Sequence, residues 1–124
     1  MGRVTPVFDT NILIDYLLGK EPAQAELARF PAARISIVTW IEVMVGARGV
    51  DEEMQLKRFL QRFELIPLDV SVAETAALLR NCYRLRLPDA VIWASAKCCD
   101  SVLITRNTND FPAGEPDIRF PYRL

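Results

Sequence analysis

The chain contains no histidine, which removes both the commonest metal ligand and the usual base of a Ser–His or Cys–His nucleophilic pair. Cysteine is scarce and badly spaced for a framework: Cys82, Cys98 and Cys99 are odd in number and two are adjacent, giving neither a disulfide set nor a C-x-x-C metal pair. Buried, reduced thiols in an intracellular protein are the expectation. Lysine is also rare, three against twelve Arg, and the net charge is −1. With no overall basic character, any contact with nucleic acid must be local, and Arg suits local bidentate phosphate contacts or buried ion pairs. No apolar run approaches the roughly 20 residues of a membrane span, and no charged-then-apolar leader opens the chain. A soluble, cytoplasmic protein with no membrane association is therefore expected.

What is present is a 51% hydrophobic chain of 124 residues, the size of one compact domain over 1–124. Short apolar runs alternate with helical patterns. Val4 to Phe8 predicts a strand, followed by a helix from Asn11 to Leu18 with Thr10 as cap and Gly19 as stop. A short helix is expected from Pro22 to Arg29, a β-branched strand from Arg34 to Val38, and a helix from Thr39 to Arg48. Asp51 caps the next helix, which runs through Phe63 with Met54, Phe59, Leu60 and Phe63 on its apolar side. Leu65 to Leu68 is a third strand, Ser71 opens a helix to Leu85 through a Ser71-x-x-Glu74 capping box, and Pro88 starts another running to Cys99. Ser101 to Thr105 is a buried strand and Ile118 to Phe120 a final edge strand. There are no repeats. This alternation implies an α/β fold with a parallel sheet of about five strands, right-handed crossovers and helices on both faces.

In such a sheet the strand-to-helix junctions open on one edge, so acids distant in sequence can meet there. Asp9 follows Val7-Phe8, Glu42 follows Thr39-Trp40-Ile41, and Asp89 follows Leu87-Pro88. Each has a structural alternative: Asp9 and Asp89 favour a helix dipole, and Thr39-x-x-Glu42 is by itself a capping box. Their joint occurrence shifts the weight. Asp89 is the clearest, because the apolar stretch Ala90-Val91-Ile92-Trp93-Ala94 must be buried, and a carboxylate at its mouth needs a partner. That partner is a hard divalent cation, or else Arg86 or Arg106.

Asp9-Thr10-Asn11 with Ile12-Leu13-Ile14-Asp15, then Thr39-x-x-Glu42-x-x-x-Gly46, then Leu87-Pro88-Asp89-Ala90-x-Ile92-x-Ala94, then Leu103-Ile104-Thr105-Arg106-Asn107-x-x-Asp110-Phe111, together resemble the PIN-domain ribonucleases. The nearest group is the VapC-type toxins of type II toxin–antitoxin pairs. The resemblance spans Val7 to Phe111 and implies a single PIN-like, Rossmann-like domain with an acidic pocket for Mg²⁺ or Mn²⁺. It implies endonucleolytic cleavage of tRNA, rRNA or mRNA, a homodimer, and neutralisation by a VapB-type antitoxin. Asp9, Glu42 and Asp89 occupy the three acidic motif positions. The fourth falls to Asn107 or Asp110, with Asn107 expected to face the site and Asp110 to be a turn residue.

With no His and no reactive Cys, hydrolysis by a metal-activated water is inferred, on one or two ions held by Asp9, Asp89 and Glu42. Thr10, Asn11 and Thr105 are placed to orient carboxylates or waters, and Arg86 and Arg106 to grip a phosphate or pair with neighbouring acids. Two other readings share the pattern. A phospho-accepting receiver domain also gathers acids on a parallel sheet, although the acidic pair after the first strand and the late Lys are missing; a catalytically weak PIN-fold binding module is the other. Around the crevice, Ile12, Leu13, Leu17, Leu18, Val43, Met44, Val45 and Met54 suggest a groove for an amphipathic antitoxin helix, or else core or dimer packing.

Overall fold

The computed structural model describes residues 5–124. Five short parallel strands form one sheet: β1 (Val7–Phe8), β2 (Arg34–Ser36), β3 (Glu64–Ile66), β4 (Leu103–Ile104) and β5 (Ile118–Arg119), in the order β3-β2-β1-β4-β5. The helices are α1 (Thr10–Leu17), α2 (Glu21–Arg29), α3 (Ile37–Val45), α4 (Val50–Leu60), α5 (Val70–Tyr83) and α6 (Leu87–Cys98). The expected alternation is therefore present; the N-terminal part of the first expected strand, at Val4, lies outside the described residues. The order removes the receiver-domain reading, because that flavodoxin-like fold places its strands 2-1-3-4-5, with β3 beside β1. Here β1 pairs with β2 and β4.

The sheet divides two cores. In β1 and β4 consecutive side chains point to opposite faces, so Val7 and Leu103 join the core under α5 and α6, while Phe8 and Ile104 join the one under α1, α2, α3 and α4. Helix α6 is buried continuously from Asp89 to Ala96, as its all-round apolar sequence requires. That burial carries Asp89 inward with the helix.

Several element starts differ from expectation: α4 begins at Val50 with Gly49 rather than Asp51 at its N-cap, and in three other helices a different side chain caps the start. Asp9, not Thr10, caps α1, its Oδ1 accepting from the Thr10 amide at 2.7 Å. Ser36 caps α3 through a 3.0 Å bond from the Val38 amide, so the expected strand ends at Ser36 and Thr39-x-x-Glu42 is not a capping box. Asp69, rather than Ser71, caps α5 by accepting from Val72. The thiols also differ: Cys82 and Cys98 are exposed and Cys99 is partly buried. Met54, placed on the apolar side of its helix, is exposed as well.

Candidate active site

The parallel register builds the centre of the site. Phe8 pairs with Ile104, so the residues just beyond them, Asp9 and Thr105, lie side by side at the carboxyl end of the sheet. The Asp9 amide donates to the Ile104 carbonyl at 2.9 Å, and the Thr105 hydroxyl donates to Asp9 Oδ2 at 2.7 Å. Asn11, in the first turn of α1, donates through Nδ2 to both Asp9 Oδ2 and Thr105 Oγ1 at 3.2 Å. Its Oδ1 accepts from the Arg106 amide at 3.3 Å. Asp9 is thus a buried carboxylate with both oxygens held.

Glu42 reaches the same region from α3. Thr10 Oγ1 donates to Glu42 Oε1 at 2.6 Å and lies 3.0 Å from the buried Thr39 hydroxyl. One helical turn separates Thr39 from Glu42, which puts both on the face of α3 that meets α1. Freed from any capping duty, Glu42 is an exposed acid whose recorded partner belongs to another helix.

Asp89 enters from the first turn of α6. Arg86 Nε approaches its Oδ2 at 3.3 Å, and Arg86 Nη2 approaches Asp110 Oδ2 at 3.2 Å. Asn107 Nδ2 donates to the same Asp110 oxygen at 2.6 Å, while Asn107 Oδ1 accepts from the Asp110 amide at 3.2 Å. The fourth region therefore supplies both candidates. Asp110 is half-buried and tied to Asp89 through Arg86, which is more than a detached surface turn; Asn107 is tied to the centre, its amide donating to Thr105 Oγ1 at 3.1 Å.

Two of these carboxyls, Asp9 and Asp89, have their proton affinity raised, chiefly by burial. Burial pushes the Asp9 carboxyl from 3.8 up to about 6, against the pull of its bonds from Thr105 and Thr10, and the charges of Asp89 and Glu42 add to the rise. Burial likewise raises Asp89, opposed by Arg86 and assisted by Asp110 and Glu42. Among the described residues no group of three or more Asp, Glu, Cys or His side chains is already arranged to hold a cation. The donor chemistry nevertheless fits a hard divalent ion: the acids offer oxygen ligands, the anionic forms of Asp9 and Asp89 are disfavoured by burial and by neighbouring negative charge, and a cation would relieve both. Positive charge is already present beside Asp89 and Asp110 as the Arg86 guanidinium.

Arg106 is placed differently from Arg86. Its Nε and Nη2 grip both oxygens of Asp15, the latter at 3.1 Å, and Tyr122 donates to Asp15 Oδ2 at 2.8 Å. A fork-to-fork contact with a fully buried carboxylate fixes Arg106 as a positioning residue that anchors the loop after β4 to α1. Asp15 and Tyr122 carry no weight in the sequence reading beyond the motif that contains Asp15. The only signal was an acid interrupting the apolar run Ile12-Leu13-Ile14-Asp15-Tyr16-Leu17.

A family model described as the PIN domain matches residues 7–113. No curated protein gives a significant match. Among solved structures, a toxin–antitoxin complex from Klebsiella pneumoniae contains a chain 43% identical, covering 97% of this chain and 100% of that one, with a TM-score of 0.91. FitAcB from Neisseria gonorrhoeae is 23% identical over 97% and 100% of the two chains, TM-score 0.79. A DNA-bound VapBC from Salmonella typhimurium is 20% identical over 94% and 96%, TM-score 0.75; these two likenesses speak to fold alone. With a match across the whole acidic site and nearly the whole chain, the protein belongs to the PIN-domain family.

Proposed function

We propose that this protein is a metal-dependent endoribonuclease and the toxin of a VapBC-type toxin–antitoxin pair, acting in the cytoplasm as a homodimer and neutralised by its antitoxin. The observation that carries the nuclease reading is Asp9: a buried carboxylate, pushed up to about 6, facing two further acids at the carboxyl edge of a parallel sheet. The 43% identical chain solved in a toxin–antitoxin complex supports the toxin role.

Asp9, Asp89 and Glu42 would hold Mg²⁺ or Mn²⁺, with Asn107 and Asp110 at the open side. When bound, such an ion lowers the pKa of a water and neutralises charge on the phosphate during in-line displacement. The chain's own residues supply preorganisation. Thr105, Asn11 and the Thr10 amide fix both oxygens of Asp9, so that carboxylate need not reorganise as charge develops. Thr10 holds Glu42 to α1, and the Asp15–Arg106 pair holds the loop that carries Asn107 and Asp110.

The test is cleavage of tRNA, rRNA and mRNA with Mg²⁺ or Mn²⁺, against the same reactions in EDTA, for the wild type and Glu42→Gln. Gln still accepts from Thr10 but removes the charge, so the variant should fold normally and lose most cleavage. Full activity in Glu42→Gln returns Glu42 to a structural partner of Thr10. No cleavage of any RNA with either metal leaves a PIN-fold binding module.

A further inference from the structure

Two arginines flank the acids, and they are held in opposite ways. Arg106 grips a carboxylate that is 3% exposed with both arms of its fork. Arg86 has a side chain 73% exposed, and its recorded partners are single oxygens of Asp89 and Asp110 at 3.3 and 3.2 Å. It precedes α6 without forming a side-chain cap, so the helix does not need it in that position. Asp89 is buried, but the guanidinium that meets it is largely in solvent and makes one single-oxygen contact to each acid, a weaker hold than a two-pronged fork. The first arginine is held by a fork to one buried acid, the second by one contact to each of two acids.

We propose that Arg86 is an internal counter-cation that competes with the metal ion for Asp89 and Asp110 and, once displaced, binds an RNA phosphate at the mouth of the crevice. The inference rests on the nuclease reading above. A guanidinium between two acids supplies the charge they need while no other cation is near. When an ion takes over that charge, the guanidinium loses its attraction to the carboxylates but stays tethered beside them at the N-terminus of α6. Its planar fork then matches a phosphate, the anion that the substrate brings to the same place. Metal binding and substrate binding are thereby coupled through one side chain, with the metal-free site held closed by its own arginine.

The experiment compares wild type, Arg86→Gln and Arg86→Lys in two measurements. In the first, Mn²⁺ is titrated without RNA and followed by the rise in Tm. Arg86→Gln should reach half-saturation at a Mn²⁺ concentration roughly twofold to fivefold lower than wild type, as expected for loss of a competing cation whose own side chain is largely solvated. Arg86→Lys keeps the charge but cannot bridge both carboxylates with a planar fork, and should shift in the same direction by less. In the second, at saturating Mn²⁺, both variants should raise KM for a short single-stranded RNA severalfold while kcat stays within about twofold. An unchanged Mn²⁺ midpoint in Arg86→Gln, or a midpoint for Arg86→Lys identical to wild type, overturns the competition. An unchanged KM overturns the phosphate role. Failure of the wild type itself to bind Mn²⁺ defeats the metal reading on which the inference stands, a result distinct from both.

Discussion

The Thr105 hydroxyl donates to Asp9 Oδ2 across 96 residues of sequence, and every position of that hydroxyl is in use: it also accepts from Asn11 Nδ2 and from the Asn107 amide. A buried carboxylate that accepts such a bond keeps its charged form more easily. The bond is a direct consequence of the β1–β4 register.

Thr105→Val preserves shape and removes the donor, so Asp9 should become harder to ionise. The variant is expected to lose about 1–2 kcal/mol of stability, and the acid limb of its cleavage profile should move to higher pH. Thr105→Ser should restore both. An unshifted pH profile in Thr105→Val would show that the hydroxyl only fills space.

Asp9 itself makes metal-free stability depend on pH in a defined direction. Its folded-state carboxyl lies at about 6 against an ordinary 3.8, so the folded state favours the protonated acid. That contribution is whole below about pH 4 and is lost as pH rises through about 6, a change on the order of 2–3 kcal/mol. In EDTA, the difference in stability between Asp9→Asn and wild type should therefore grow in favour of Asn between about pH 4 and pH 7. Millimolar Mn²⁺ at neutral pH should stabilise wild type and leave Asp9→Asn little changed. Parallel curves for the two proteins in EDTA would mean that Asp9 ionises without penalty.

The Asp15–Arg106 contact predicts loss of stability with lesser damage to substrate affinity. Breaking a pair whose acid is buried leaves an uncompensated group; because Arg106 is 36% exposed, the expected loss for Arg106→Met is about 2–3 kcal/mol. Loosening the loop should lower kcat more than it raises KM, the reverse of the Arg86 variants. Thermal unfolding and steady-state kinetics on the same preparations separate them, and a pure KM effect in Arg106→Met would assign it to the substrate instead.

Much of the site was legible because strand ends in a parallel sheet share one edge: Asp9, Glu42 and Asp89 each follow or open an apolar element, and α6 announces its burial by being apolar all round. The boundary at Ser36 was not. Ile35-Ser36-Ile37-Val38 has strong β propensity, yet the Ser36 cap starts a helix within it, because a side-chain bond to Val38 and packing of α3 outweigh a weak local preference. That shift removed the capping box which had made Glu42 look structural. Asp15 with Tyr122, 107 residues apart, has no local pattern at all. Of the side chains expected to border an apolar groove, Ile12, Leu13 and Val43 turn into the core and Met44 packs partly against it, while Leu17, Leu18, Val45 and Met54 are exposed.

The exposed members of that set lie on α1 or at its C-cap and on α3 and α4, helices that contact one another in turn, and Ile41 and Val50 on α3 and α4 are exposed as well. Exposed apolar side chains on three packed helices, one of which carries Glu42, suit an amphipathic helix with a basic residue reaching the acids, the chemistry expected of an antitoxin. Val45 is 78% exposed, so Val45→Glu together with Leu18→Glu should leave folding within about 1 kcal/mol of wild type. Expression of the chain alone should arrest growth of a bacterial host, and Asp9→Asn or Asp89→Asn should relieve it. Coexpression of the short gene product encoded beside the toxin gene should rescue growth and copurify with wild type, but do neither with the double Glu variant. A double variant that remains dimeric and is still neutralised would place the antitoxin elsewhere; one that is monomeric yet neutralised would assign the surface to the second copy of the chain. Arrest that persists unchanged in both Asn variants would defeat the toxin-ribonuclease reading, because it would not depend on the acids that define the site.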